Sequence, residues 1–158
     1  MDKLPGLEYH VLRADDKEKI ELIAEWYFEE WKIPHEKSIQ KLQNLNQGNR
    51  QVQVMITINN IPVATGGIYN HVGLLDREPK FKIYKHWLAL IYTTPEHRNK
   101  GFGSLICDFL QVGAAAENLE ELYLFTHTAE SLYLRLGWEP IQRLTSAGKD
   151  IVVMKKKL

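Results

Sequence analysis

The stretch Pro95-Glu96-His97-Arg98-Asn99-Lys100-Gly101-Phe102-Gly103-Ser104 places a basic pair and two closely spaced glycines directly before a segment of helical periodicity. A helix N-terminus presents backbone N–H groups without intrahelical partners and carries about half a positive charge, so it attracts anions. Glycine before such a helix lets the backbone approach a phosphate with no Cβ in the way, and permits positive φ. Arg98 and Lys100 add positive charge. Residue types and spacing therefore suit a pyrophosphate cradle. This is not a Walker loop, because no Gly-Lys-Ser/Thr stands at the required spacing. Nor is it the dinucleotide fingerprint, because Ile106 occupies the place of the third glycine. A plain strand-to-helix turn also calls for small residues, and the glycines alone do not separate the two readings.

Other reactive side chains say less on their own. Cys107, one turn into the same helix, reads as a small core residue rather than a nucleophile. His10, His35, His71, His86, His97 and His127 are scattered and show no metal-ligand spacing, so no metal is expected.

These residues need elements to hold them. Residues 7–13 suit a first strand. Asp15 offers an N-cap with Glu18 three positions on, and Ile20, Ile23, Ala24, Tyr27 and Trp31 recur at helical spacing behind it. Pro34 restarts the chain; Ile39, Leu42 and Leu45 mark a second helix with Gly48 as its terminating glycine. From Gln51 the period becomes two, with Val52, Val54, Ile56 and Ile58 on one face, which predicts a half-buried strand. Asn59-Asn60 is a tight-turn signal, and a partner strand follows over 62–70. Residues 71–85 read as an irregular exit. Residues 86–92 suit a central strand and a helix begins near Gly103, with Leu105, Ile106, Phe109, Leu110 and Val112 inward. A buried strand over 122–126 follows. A short helix carries Leu132, Tyr133 and Leu136 and stops at Gly137, and two strands around Ser146-Ala147-Gly148 close the chain. Strand–helix–strand from 87 to 126 implies a parallel pair joined by a right-handed crossover.

The 158 residues suit one domain, 1–158, with an ordinary core. Lys plus Arg and Asp plus Glu number 20 each, which is not the basic excess of a dedicated nucleic-acid or anionic-membrane binder. A single cysteine excludes an intrachain disulfide and fits a reducing, cytoplasmic setting. The N-terminal residues show no secretory h-region, and no run of about 18 apolar residues predicts a membrane span.

Two motifs together carry a resemblance. Pro95-Glu96-His97-Arg98-Asn99-Lys100-Gly101-Phe102-Gly103 resembles the Arg/Gln-x-x-Gly-x-Gly/Ala signature of the GNAT superfamily of N-acetyltransferases, which sits at a strand–helix junction, often after Pro-Glu-x-Arg. Further on, Ala129, Tyr133 and Leu136-Gly137-Trp138 resemble the family's small residue, tyrosine and Leu-Gly-aromatic run. The order of elements fits over nearly the whole chain. The resemblance implies a single-domain α/β fold: a mixed, mostly antiparallel sheet with a splayed central parallel strand pair and about four flanking helices.

It also implies chemistry. Acetyl-CoA would be the cosubstrate and an amine of a small molecule or peptide the acceptor. The amides of Asn99, Lys100, Gly101, Phe102, Gly103 and Ser104, beside Arg98, would hold the pyrophosphate. Ile91, Tyr92 and Thr93 would line the pantetheine arm, with strand 122–126 as the slot's other wall and an amide near Ile91 as oxyanion donor. Tyr133 occupies the family position of the acid that protonates the leaving thiolate; a phenol titrates near 10 and is protonated at neutral pH. Some members place a Glu base where Trp87 stands, and tryptophan cannot serve. His86 is adjacent, and an imidazole in general titrates in a useful range; Glu30 and His127 are further candidates, and water carries the proton in many members. The segment Glu29–His35 borders the acceptor site in the family, which puts Glu30, Trp31 and His35 in the acceptor pocket. A non-catalytic acyl-CoA-binding regulatory module is the alternative. The acceptor's identity and the assembly state stay open, a homodimer being one option.

Overall fold

The structure is a computed structural model that describes residues 4–45 and 50–158. The chain falls into two compact units: one comprises the residues up to Ile68 together with Leu90–Leu110, the other Tyr69–Ala89 and Gln111–Leu158. The strands hydrogen-bond in the order β1-β2-β3-β4-β5-β7-β6, mostly antiparallel with one parallel pair, β4 and β5. That is the mixed sheet expected from the sequence.

In the first unit, β1 (Leu7–Val11) pairs antiparallel with β2 (Val52–Ile58), and β2 with β3 (Ile61–Tyr69). Asn59 and Asn60 both adopt positive φ, 50° and 67°, as a tight hairpin turn requires. The strand predicted to be half-buried is not. Gln53, Val54, Met55, Ile56 and Thr57 are all buried, because helices cover both faces. The α1 helix (Lys17–Trp31) lies on the Gln53 face, where the Tyr27 hydroxyl meets the Gln53 amide. The α4 helix (Phe102–Ala116) lies on the face of Val54 and its register partner Gly66. Approach there is close: a Cβ on Gly66 would lie 2.7 Å from Cγ2 of Ile106 and 2.4 Å from Cδ1 of Ile91. Only glycine fits between those side chains without repacking.

Three further expectations need correction. The α1 N-cap is Asp16, not Asp15, and no side-chain cap bond forms. Both carboxylates turn back to Arg13 instead: Asp16 accepts from its backbone N–H at 2.7 Å and Asp15 from its guanidinium at 3.1 Å. Val112 is 72 % exposed rather than inward. The buried stripe of α4 runs through Phe102, Ile106, Cys107, Leu110 and Ala114, and Val112 is roughly opposite it at 100° per residue. Residues 71–85 are not irregular throughout. They form α3 (Leu74–Arg77) and a 3-10 turn (Pro79–Ile83), because Leu74, Leu75 and Phe81 are apolar side chains that bury there. The α2 helix (His35–Gln43) follows Pro34 as expected, while its proposed terminator Gly48 lies outside the described residues.

The second unit holds the start of β4 (Trp87–Thr93), with Trp87 in parallel register with Tyr123 of β5 (Glu121–Thr126). There β5 and β6 (Glu139–Ser146) flank β7 (Lys149–Lys157), both antiparallel to it. The α5 helix (Glu130–Arg135) ends just before Gly137, which takes φ 90°. Among the described residues no helix is long and apolar enough to cross a membrane.

Candidate active site

Within the first unit, β4 is not a regular strand. Leu90 adopts φ 60°, a left-handed conformation uncommon for a branched side chain. Its carbonyl accepts a 2.7 Å hydrogen bond from the Tyr27 hydroxyl of α1. Ile91, Tyr92 and Thr93 follow. The Tyr92 ring is buried, stacked on Trp26 at 5.1 Å and edge-on to Trp31 at 6.3 Å. Burial is the main reason its phenol titrates above the ordinary tyrosine range.

Beyond Thr93 the chain turns through Pro95–His97 and reaches the glycines. The Thr94 hydroxyl and His97 Nδ1 lie 2.7 Å apart, and the His97 ring sits edge-on to Phe102 at 6.1 Å. Asn99 and Gly101 take φ 63° and 89°. The Gly101 carbonyl accepts from Leu105 N–H at 3.1 Å and so opens α4. The N–H groups of Phe102, Gly103 and Ser104 precede that first helical donor and have no carbonyl a turn back to bond. Arg98, Asn99, Lys100 and Gly101 are exposed. A Cβ at Gly101 would meet nothing within 4 Å, so the space beside its backbone is open. The turn thus leaves open space beside its backbone at a helix start.

Arg98 does more than lend charge to the turn. Its Nε donates to the Thr93 carbonyl at 2.9 Å, its Nη2 to Glu30 Oε2 at 2.6 Å, and its guanidinium carbon lies 5.5 Å from the Tyr92 ring centroid. The structure thus brings Arg98, Tyr92, Glu30 and Trp31 into one cluster. Glu30, weighed from sequence as a base, is the ion-pair partner of that guanidinium. Trp31 is 43 % exposed, with one flank on Tyr27 and Tyr92. His35 is engaged differently: its Nε2 lies 2.7 Å from Glu25 Oε2 and its ring stacks on Phe28 at 4.6 Å. Its hydrogen bond to Glu25 is the main cause holding that carboxyl below its ordinary range. Trp31→Ala is expected to raise the amine KM about three- to tenfold, the scale of one aromatic contact. The KM for acetyl-CoA should hold steady. Steady-state kinetics with each substrate varied in turn checks this, and equal changes in both constants would make Trp31 a packing residue only.

The second unit carries His86, Trp87, His127 and Tyr133. Trp87 is fully buried and its indole N–H donates to the Tyr84 carbonyl at 2.9 Å, as a core residue. His86 is half-buried, with its carbonyl accepting from Tyr123 N–H at 2.9 Å. His127 is exposed and its Nδ1 donates to the Asp150 carbonyl at 2.9 Å, which leaves Nε2 as the neutral ring's acceptor. Tyr133 is 8 % exposed, its ring edge-on to Trp138 at 6.0 Å. Cys107, in the first unit, is fully buried, and burial pushes its thiol up to about 12, so it stays protonated and inert.

Residues 53–140, more than half of the chain, match the family model described as an acetyltransferase (GNAT) domain. The chain belongs to the GNAT acetyltransferase family. No curated protein sequence matches it significantly. Among solved structures it is similar to an aminoglycoside 6'-N-acetyltransferase from Enterococcus faecium, at 14 % identity and a TM-score of 0.72, over 95 % of this chain and 96 % of that one. An aminoglycoside 6'-N-acetyltransferase complexed with coenzyme A gives 13 %, 0.71 and 96 % of both chains. A GNAT-family acetyltransferase from Streptococcus pneumoniae gives 18 % and 0.69, over 96 % of this chain and 99 % of that one. At such identities the likeness is one of fold.

Against this GNAT frame, sequence reasoning missed Tyr27, Gln53 and Thr65. Gln53 and Thr65 are fully buried, and Gln53 Nε2 donates to the Tyr27 hydroxyl at 2.9 Å and to Thr65 Oγ1 at 2.7 Å. The signal in the sequence was polar residues among apolar ones, Gln53 and Thr57 in β2 and Thr65 in β3.

Proposed function

We propose that this GNAT acetyltransferase moves the acetyl group of acetyl-CoA to a primary amine of a small molecule or peptide, by direct attack in a ternary complex, the chain acting as one catalytic domain. The turn at Asn99–Ser104 carries the reading: Asn99, Lys100 and Gly101 are exposed, Asn99 and Gly101 take positive φ, and the turn opens onto the first turn of α4. Its amides, with Lys100, take the pyrophosphate. Arg98, held to Thr93 and Glu30, joins that turn to the end of β4. The backbone of Ile91–Thr93 pairs with the pantetheine arm. An amide at Ile91 donates to the oxygen that becomes negative as the amine attacks. Tyr133 gives its proton to the departing thiolate, and His86 or water takes the proton from the amine. Glu30, Trp31 and His35 belong to the acceptor side.

Saturating acetyl-CoA is expected to raise the melting temperature, because it binds the folded chain alone. At about 100 times its Kd the gain is roughly 2.7 kcal/mol, on the order of 5–10 °C for a chain this size. Free-thiol release over a panel of primary amines tests the transfer itself. The panel includes aminoglycosides, because two of the similar structures are aminoglycoside 6'-N-acetyltransferases. A shift with ATP and none with CoA would overturn the site. A shift with acetyl-CoA and no amine-dependent thiol release would favour the non-catalytic acyl-CoA-binding module.

A further inference from the structure

Resting on the reading that the Ile91 amide serves the oxyanion, we propose that Tyr27 is a positioning residue: its hydroxyl pins the Leu90 carbonyl and thereby aims the Ile91 N–H. The carbonyl of Leu90 and the N–H of Ile91 belong to one planar trans peptide and point opposite ways. Holding one end fixes the other. At φ 60° Leu90 is in a conformation that costs an L-residue and persists only where the surroundings over-determine it.

The surroundings do so through a buried chain of hydrogen bonds. Thr65 Oγ1 donates to the Val54 carbonyl at 2.7 Å, so its oxygen is left to accept from Gln53 Nε2, also at 2.7 Å. Gln53 Nε2 also donates to the Tyr27 oxygen at 2.9 Å. An amide nitrogen only donates, so the phenol's single proton is directed to Leu90. Tyr27, Gln53 and Thr65 are 1 %, 0 % and 0 % exposed, so water does not compete at the links among these three side chains. Burial also drives the Tyr27 phenol well above its ordinary range, which keeps it a donor at every working pH. A donor on the carbonyl polarises the peptide and strengthens its N–H as a donor in turn. Beyond Leu90, the Ile91 side chain is wedged near Gly66 and the Tyr92 ring is stacked on Trp26, which leaves the peptide its tilt.

Tyr27→Phe keeps the ring and removes the pin. Turnover should fall roughly 10- to 100-fold, somewhat less than outright loss of an oxyanion donor. The Kd for CoA, which lacks the acetyl carbonyl, should stay within about twofold, small against that loss. A readout free of turnover comes from protein labelled with carbonyl-13C leucine and 15N isoleucine, which selects the Leu22–Ile23, Leu90–Ile91 and Leu105–Ile106 peptides, the second assigned by its loss in Ile91→Val. In the wild type its amide should respond more to acetyl-CoA than to CoA, and Tyr27→Phe should erase the difference. Ile20→Val, a core change in the same helix, serves as the stability-matched control and should keep turnover. A differential response that survives in Tyr27→Phe, or an equal loss of turnover in Ile20→Val, overturns the role of Tyr27. An Ile91 amide that responds alike to CoA and acetyl-CoA in the wild type overturns the oxyanion assignment itself, and this inference with it. If Tyr27→Phe did not fold, Gln53→Met would release the phenol from its strand-side donor, and an unchanged differential response there would overturn the proposal.

Discussion

Gly101→Asp is expected to abolish measurable acetyl-CoA binding. Two effects act at this position. The first is backbone strain: Gly101 takes φ 89°, and a side chain there costs on the order of 1–2 kcal/mol. The second is charge: a carboxylate against a pyrophosphate sets like charges together, which costs several kcal/mol, or more than about 100-fold in Kd. Gly101→Asn separates them, since asparagine matches aspartate in shape and tolerates positive φ but carries no charge. The turn is exposed and a Cβ at Gly101 meets nothing within 4 Å, so both variants should fold. Calorimetric titration should show Gly101→Asn within about tenfold of the wild type, because asparagine tolerates positive φ. Gly101→Asp should fall at least about a further 100-fold. An aspartate variant that binds within tenfold of the asparagine variant, roughly 1.4 kcal/mol, would place the pyrophosphate elsewhere. The same test applies at Gly103, where a Cβ would make only an ordinary van der Waals contact, 3.8 Å, with Cγ2 of Ile91.

Tyr133→Phe should lower turnover on the order of 100-fold or more while acetyl-CoA affinity and melting temperature change little. Its ring is 8 % exposed and edge-on to Trp138, so Tyr133 certainly packs. Phenylalanine keeps that packing and deletes only the hydroxyl. The measurement is turnover at saturating substrates for a variant shown to be folded. Loss in proportion to stability would make Tyr133 a core aromatic. Activity within about threefold of the wild type, small against the acid-catalysis term, would remove it from the mechanism.

The sequence by itself determined the features whose causes lie within a few residues. Asn59-Asn60 turned the β2–β3 hairpin because asparagine tolerates positive φ. Gly101 before Phe102 started α4, and Pro34 started α2, for equally local reasons of backbone freedom. Such preferences act through each residue's own φ and ψ, so they can be read in chain order. Tertiary structure decided everything that depends on what lies opposite. A period of two marked β2 as a strand but said nothing of what would cover its second face, and α1 buried Gln53 there. Arg98 reads as loop charge until the fold brings Glu30, 68 positions away, within 2.6 Å of it. The left-handed Leu90 has no sequence signature at all: leucine does not favour φ 60°, and the bond that accompanies it comes from Tyr27, 63 positions away. A buried donor must find an acceptor wherever the packed chain places one. The Tyr27 hydroxyl meets that requirement at the carbonyl of the left-handed Leu90.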